Sequence, residues 1–579
     1  MLYDLTMASI TKKEVKGHAY YYARECKRVG GKPKIVWQQY LGKLEDIVKA
    51  VEDRQRGHPI PQPEDESLVT EFGAAAALYD LSRRLDLSGI IDRHVPKQGS
   101  GASVGTYLVT AILNRCLAPR SKARIAEWFQ TTVLRRLLDI EARQLTSQRF
   151  WDNMERVSEE AIAAIEAEVV SRAVEDFGLD LSRVLFDATN YFTFIDTFNE
   201  KSTLAQRGHS KEGRASLRIV GLALLVSADG EVPLLHHTYA GNATDSPTFA
   251  SLTEVLFARV KQLTQEVEHV TVVFDKGNNS EANLTAVDQS PLHFVGSLVP
   301  THHSDLLAVA DSEFASLAPD GLPSVRTYRT KREIYGSERT VVVTFNENLF
   351  VAQSKTLLRE IAKRQRRLGE IVARLERWRR GEVCGGRPPT LEGTRNAVAE
   401  ALKGRHMKDL FEIQLDCADD DLPRLLYRFR QQAWEELQRT LLGKTLLFTD
   451  NHEWSDAEVV RAYRAQHHIE AGFRAMKDPH HIALRPQYHW TDQKVRVHVF
   501  TCVLALLLLN LLRRELAQKG FDFSIAHMLE QLGAIKEVVT VFPPQGSRTA
   551  PTLRTSLTRS SDEQRALFKA LDLGRYTSS

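Results

Sequence analysis

Between residues 183 and 299 the apolar residues come in short blocks separated by polar turns, the pattern of buried strands. Strands are predicted at 183–188, in the two halves of SLRIVGLALLVSADGEVPLLHHTYAGN joined at Asp229-Gly230, in HVTVVFD and in LHFVGSLV. The segment SPTFASLTEVLFARVKQL predicts a helix. Phe249, Leu252, Leu256, Val260 and Leu263 form its apolar stripe, Ser246 can cap it and Pro247 suits its first turn. Another helix starts near residue 280, so the order is β-β-β-α-β-α-β.

Upstream, SVGTYLVTAILNRCL and SEEAIAAIEAEVVSRAVEDF carry helical spacing, and 67–178 reads as a helical bundle in preference to a helix-turn-helix. Arg115, Arg120, Lys122, Arg124, Arg135 and Arg136 punctuate it. Residues 18–42 predict two strands around Gly30-Gly31, rich in aromatics and in Arg24, Lys27, Arg28, Lys32 and Lys34. That hairpin is either a solvated surface or a DNA-touching module. Residues 54–66, polar and proline-rich, predict a linker.

From 300 to about 440 the strand rhythm breaks. RTVVVTF predicts a strand and 355–380 a long helix, with ten Lys/Arg against three Glu and a partial stripe of Leu358, Ile361, Leu368, Ile371 and Leu375. The helix is either a solvated hairpin arm or a contact to DNA backbone. KTLLFTDN (444–451) resumes the strands. SDAEVVRAYRAQHHIEAGFRAMKD follows as one helix with a Ser455/Glu458 capping box, and a last long helix covers about 491–517.

At 579 residues the chain exceeds one hydrophobic core, and its 43% hydrophobic and 26% charged residues are those of a globular protein. A net charge of +3 identifies no partner. Five scattered cysteines without a CxxC pair argue for a reducing compartment and against a zinc site. The N-terminus carries no signal-peptide pattern, and the apolar run Val499–Leu512 is too short to span a bilayer. A cytoplasmic protein without a membrane partner is expected.

The chemistry is expected where the strands end in acids. Asp187 closes the run Val184–Leu185–Phe186 and Asp275 closes Val272–Val273–Phe274. A carboxylate beside a core strand is costly to bury unless a cation compensates it. An isolated strand-end Asp is more often a turn or cap residue. Two in matching contexts suggest acids set side by side, which repel unless a cation lies between them. Hard oxygen ligands favour Mg²⁺ or Mn²⁺. On the 455–478 helix, Tyr463, Gln466, Glu470, Phe473 and Lys477 are spaced to share a face, with Val459 and Val460 toward a core. Glu470 is the candidate third carboxylate. Lys477, two turns away, lies about 10.5 Å along the axis from it and would meet a nearby anion without pairing with Glu470, unless this is simply an amphipathic helix with a charged edge.

Asp187, Asp275, Glu470 and YRAQHHIEAGFRAMK resemble the DDE transposases of bacterial insertion sequences, within the insertion-sequence-4-like superfamily and its insertion-sequence-1634 group. That superfamily carries Y-x2-R-x3-E-x6-K; here Tyr463, Glu470 and Lys477 are in register, with Gln466 where Arg is expected. FDATNYF, YAGNATDSPTF, FDKGNNS and YYYARECKRVGGKPKIVWQQYLGK resemble further blocks of the group. The resemblance implies an α/β ribonuclease-H-like catalytic core interrupted by an inserted α+β domain and preceded by a mainly helical region. The parts are a basic hairpin module (1–53), a helical DNA-binding region (67–178), the core (183–300 and 443–517), the insertion (301–440) and a tail (518–579). The gap from Asp275 to Glu470, more than twice that from Asp187 to Asp275, has room for such an insertion.

The resemblance also implies two Mg²⁺ or Mn²⁺ ions held by Asp187, Asp275 and Glu470, with Tyr463, Arg464, Arg474 and Lys477 on DNA. Its partners would be terminal inverted repeats and target DNA, bound by a homodimer at the bacterial nucleoid, and its activity cleavage and strand transfer. The alternatives are a DNA-binding protein that has lost catalysis and a metal-dependent nuclease that cuts without joining.

Overall fold

Three N-terminal strands, β1 (Ala8–Val15), β2 (His18–Val29) and β3 (Lys32–Gly42), form an antiparallel sheet in the computed structural model. The structure describes residues 8–29, 32–48, 66–97, 101–214, 216–243, 245–382, 385–417, 422–485, 488–542 and 552–578. The expected turn at Gly30-Gly31 and the linker over 54–65 therefore lie outside the described residues. β1 was not expected, because ASITKKEV has almost no apolar alternation. Lys16 and Gly17, at φ 51° and 79°, make the two-residue turn into β2 that the twist of an antiparallel ribbon favours. A short strand, β4 (Glu66–Glu71), stands where the helical region was expected to begin.

The acid-bearing segments lie in a nine-stranded sheet. Its strands are β5 (Arg183–Phe192), β6 (Ile219–Ser227), β7 (Pro233–Ala240), β8 (Thr271–Val273), β9 (His293–Ser297), β10 (Ala315–Ser316), β11 (Val325–Ile334), β12 (Ser337–Asn346) and β15 (Lys444–Thr449). The order is β10-β11-β12-β15-β9-β8-β5-β6-β7. β5, β6 and β7 run antiparallel, while β8 pairs parallel to both β5 and β9. All nine residues of β6 are buried, which requires cover on both faces and explains its unbroken apolar run. The helix Asp245–Leu263 begins one residue before Ser246, and the side chains of its first turn lie outside the described residues.

The segment expected as an insertion is divided. β10–β12 join the central sheet through β15. Residues beyond β12 build around their own apolar cluster: the helix Glu347–Arg379, a second helix Leu391–Ala401 and the hairpin β13 (Phe411–Cys417)–β14 (Pro423–Phe429). Ile361, Leu368 and Leu375 of the long helix pack there with Leu410, Phe411 and Trp434. Leu358, expected in that stripe, is 50% exposed.

The helix Asp492–Gln518 is long and apolar enough by composition to cross a membrane, but the window that passes that test is 94% buried inside the protein. It packs against β7 and against the helix Val104–Leu117. Arg115 of that second helix donates to the carbonyls of Ile482 (3.2 Å) and Ala483 (3.3 Å). The helical region is thereby part of the same compact unit as the core. That unit comprises Thr70–Lys536 and Arg559–Thr577; Met1–Val69, Glu537–Thr558 and Ser578–Ser579 make up the other. In the latter, β4 closes a three-stranded sheet with β16 (Lys536–Phe542) and β17 (Thr552–Leu557), strands drawn from the expected tail.

Close backbone approach beside β6 fixes one glycine. A Cβ on Gly241 would stand 1.9 Å from the carbonyl oxygen of Ile219, an atom that cannot yield. Gly241→Ala is expected to cost about 2–3 kcal/mol, within the range for overpacking, read as a lower urea midpoint with an unchanged m-value.

Candidate active site

Asp187 does not end its strand. β5 continues to Phe192, and Asp187 faces Leu224 of β6. On the other side, pairing with β8 stops at Leu185↔Val273. Asp187 and Asp275 therefore each stand two residues past the last pair of two adjacent parallel strands. The chain takes Asp187 onward as strand and turns Asp275 into the short helix Lys276–Asn278. Asp187 is half-buried and its Oδ1 accepts from the amide of Ala188 (2.7 Å). Lys211 brings an ammonium beside this stretch, donating to the carbonyl of Ala188 at 2.6 Å.

Asp275 is held on one oxygen. Its Oδ1 accepts from the hydroxyls of Tyr463 (3.1 Å) and Ser297 (3.2 Å), and Tyr463 also donates to Ser297 Oγ at 2.8 Å. Burial, reinforced by the neighbouring Asp275 carboxylate, raises the Tyr463 hydroxyl above its ordinary pKa, so it acts as a neutral donor. Tyr463, expected on DNA phosphate, bonds a carboxylate here.

The single helix expected over 455–478 is two. The capping box at Ser455/Glu458 starts Asp456–Arg464 as expected, and a one-residue turn at Ala465 separates it from Gln466–Lys477. Val459 and Val460 are buried, as expected. Gln466 Nε2 reaches the carbonyl of Phe186 (3.4 Å), next to Asp187. Glu470 is exposed and makes no hydrogen bond or ion pair among the described residues. The second helix is pinned elsewhere: His468 meets Glu231 (2.6 Å), which Arg513 also holds (3.0 Å).

Lys477 does not pair with Glu470. Its ammonium donates to Thr189 Oγ1 (2.7 Å) and the carbonyl of Asn190 (2.8 Å) on β5, and it lies 3.3 Å from Glu212. Burial lowers its pKa and Glu212 partly restores it. Phe473, placed with it on one face by spacing, is buried, while Arg464 and Arg474 are exposed.

Asp275, Tyr463, Arg464, Gln466, His467 and Glu470 line one open pocket of about 400 Å³. Asp187 is not in its lining. Among the described residues no group of three or more His, Cys, Asp or Glu side chains is drawn together closely enough to hold a metal ion. A neighbouring pocket of about 500 Å³ shares Tyr463 and is lined by Lys276, Arg405, His406 and Lys444. Sequence reasoning missed Ser297, Lys211, Glu212 and this basic lining. Arg405, His406 and Lys444 are remote in sequence from either aspartate, and only Lys276, next to Asp275, carried a local signal.

No family model and no curated protein matches the sequence. Among solved structures, the chain is similar to a piggyBac transposase in a synaptic complex with hairpin DNA, at 7% identity and a TM-score of 0.35, over 81% of this chain and 82% of that one. A likeness at that level bears neither on the fold nor on the chemistry.

Proposed function

We propose that the protein is a DDE transposase of a bacterial insertion sequence, with a ribonuclease-H-like core carrying Asp187, Asp275 and Glu470. The observation that carries this reading is the register of β5 and β8, which brings Asp187 and Asp275 to one level of two adjacent parallel strands. The Tyr463 hydroxyl on Asp275 and the Gln466 amide on the β5 backbone link both strands to the Glu470 segment. The sheet order β7-β6-β5-β8-β9, antiparallel over β5–β7 and parallel from β5 through β8 to β9, supports the ribonuclease-H-like core that the resemblance implies, with 301–440 as its insertion.

The donor atoms, all oxygen, are those that Mg²⁺ or Mn²⁺ takes, although the three carboxylates are not drawn together around one point. Among the described residues Asp275 Oδ2 and the Glu470 carboxylate accept no protein hydrogen bond, and neither carboxylate has an ion-pair partner. Two bound ions would polarise the scissile phosphodiester and favour ionisation of the attacking water or 3′-OH. The chain's own residues do the rest. Tyr463 fixes one oxygen of Asp275 and leaves the other for a ligand. Gln466 ties the Glu470 helix to the Asp187 strand. Arg464, Arg474 and Lys276 would meet phosphate, which positions DNA without reading it. Cleavage breaks the P–O3′ bond at the element's end, with water adding to phosphorus and the 3′-OH leaving; that 3′-OH then attacks target phosphate and a new 3′-OH departs. The partners are end and target DNA, bound by a homodimer in the bacterial cytoplasm, with end recognition assigned to residues before about 180.

The test uses the full-length chain, Mg²⁺ and a supercoiled plasmid carrying the gene's own flanking DNA. Nicks at fixed flanking positions and joined products are expected. Cutting without joining would reduce the reading to a nuclease, and no cutting in Mg²⁺ or Mn²⁺ would overturn it. Tyr463→Phe, which removes the donor to Asp275 and Ser297, should slow cleavage about 10- to 100-fold, the scale for losing a group that orients a metal ligand. An unchanged rate would show that the hydroxyl is structural only.

A further inference from the structure

The N-terminal sheet has two open faces of different chemistry, and the strand register sorts the residues between them. Tyr20, Tyr22 and Arg24 of β2 share one face with Lys13 of β1 and with Gln38 and Tyr40 of β3. Ring contacts agree with the register: Tyr40 lies 5.3 Å from Tyr22 and 6.2 Å from Tyr20, and the Arg24 guanidinium is 5.9 Å from the Tyr22 ring. Among the described residues this face carries no Asp or Glu. The opposite face carries acids, Glu14 with Lys12 (2.5 Å) and Glu25 with Lys27 (3.5 Å), beside Lys32 and Lys34. Asp46, an acid that acts on Tyr40, lies beyond β3 and accepts from the amide of Lys43 (2.8 Å).

We propose that this acid-free face of β1–β3 docks into the major groove of duplex DNA. The proposal rests on the transposase reading for the origin of that DNA, but not for the contact itself. The major groove admits an antiparallel β-ribbon, and a guanidinium and a primary amide are the groups that read guanine and adenine bidentately. Arg24 and Gln38 stand directly opposite each other in the register. Lys13 sits on the edge strand, where a phosphate would pass, and Tyr40 is 54% exposed. The 12 residues of β2 extend about 40 Å at roughly 3.3 Å per residue, slightly more than one turn of duplex. A second copy of the chain would place cation against cation on the same face, so charge favours DNA.

The experiment measures binding of the full-length chain to a 30-base-pair duplex by anisotropy across a salt series, without divalent ions. The double variant Lys13→Gln/Arg24→Gln should weaken binding at least tenfold and flatten the plot of log K against log salt by nearly two, at about 0.9 per lost phosphate contact. The opposite-face control Lys12→Gln/Lys34→Gln should leave the slope unchanged. Gln38→Ala, an exposed change that cannot unfold the sheet, should reduce preference for the gene's flanking DNA over random duplex. Equal effects of both double variants, or a larger effect of the control, would overturn the assignment. So would dissociation of a dimer with unaltered DNA binding. Because cleavage is not read, the docking face can fail while the active site stands, and the reverse.

Discussion

Asp275→Asn and Glu470→Gln are expected to lower strand cleavage by a factor of at least about 10³, a loss near 4 kcal/mol of transition-state stabilisation, with Asp187→Asn as severe. Both Asp275 and Glu470 face the same pocket, and neither carboxylate has a cationic partner among the described residues. Their charge is therefore available to a ligand and is not spent on the fold. Asn at 275 keeps an Oδ1 that Tyr463 and Ser297 can bond, so the melting temperature should move little. Duplex binding should also persist. Ca²⁺ in place of Mg²⁺ should support binding with little cutting, because its looser coordination places the reacting oxygens poorly. Single-turnover cleavage in Mg²⁺, with a thermal melt of each variant, decides the matter. Near-normal cutting by any one variant removes that residue from the site.

Lys477→Ala should destabilise the protein by about 2–4 kcal/mol, the cost of leaving buried polar partners and a carboxylate without their cation. From its spacing and the resemblance, Lys477 was expected to grip phosphate at no cost to stability. The structure instead seals its side chain at 14% exposure against Thr189, Asn190 and Glu212. Arg485 also holds Glu212, at 3.2 Å, so Glu212→Gln should cost less than Lys477→Ala. Lys477→Met, which keeps the stem but not the charge, should recover part of the packing. Urea denaturation of the three variants measures the ranking. An unchanged midpoint for Lys477→Ala, with a flatter salt dependence of DNA binding, would return the residue to phosphate.

The corrections at the site share one physical origin. Helical spacing put Tyr463, Gln466, Glu470, Phe473 and Lys477 on one face, and three of them do turn to the central sheet: Tyr463 to Asp275, Gln466 to the carbonyl of Phe186, and Lys477 to Thr189 and Asn190 farther along β5. Spacing defines a face but not the partners that the face will meet. The helical region expected over 67–178 is tied into the core: Cys116 lies against the carbonyl of Ala505 and Arg115 holds Ile482 and Ala483. A fragment ending there would expose an apolar helix, so recognition must be tested on the whole chain.

What the sequence determined by itself is local. Short apolar blocks specified β5, β6, β7, β8 and β9, and β6 most fully, because a strand buried on both faces needs an unbroken apolar run. The Ser455/Glu458 box specified where a helix starts, because both partners of its reciprocal bonds lie within one turn. The acids at 187 and 275 stood out because a carboxylate interrupts each apolar run. Only the tertiary structure decided which strands are neighbours, and hence that Asp187 and Asp275 share a level. It also decided that β10–β12 extend the central sheet, and that Ser297 and Lys211 surround the acids. Those are pairings between residues far apart in sequence, chosen by burial and backbone hydrogen bonding across the whole core, and no local pattern encodes them.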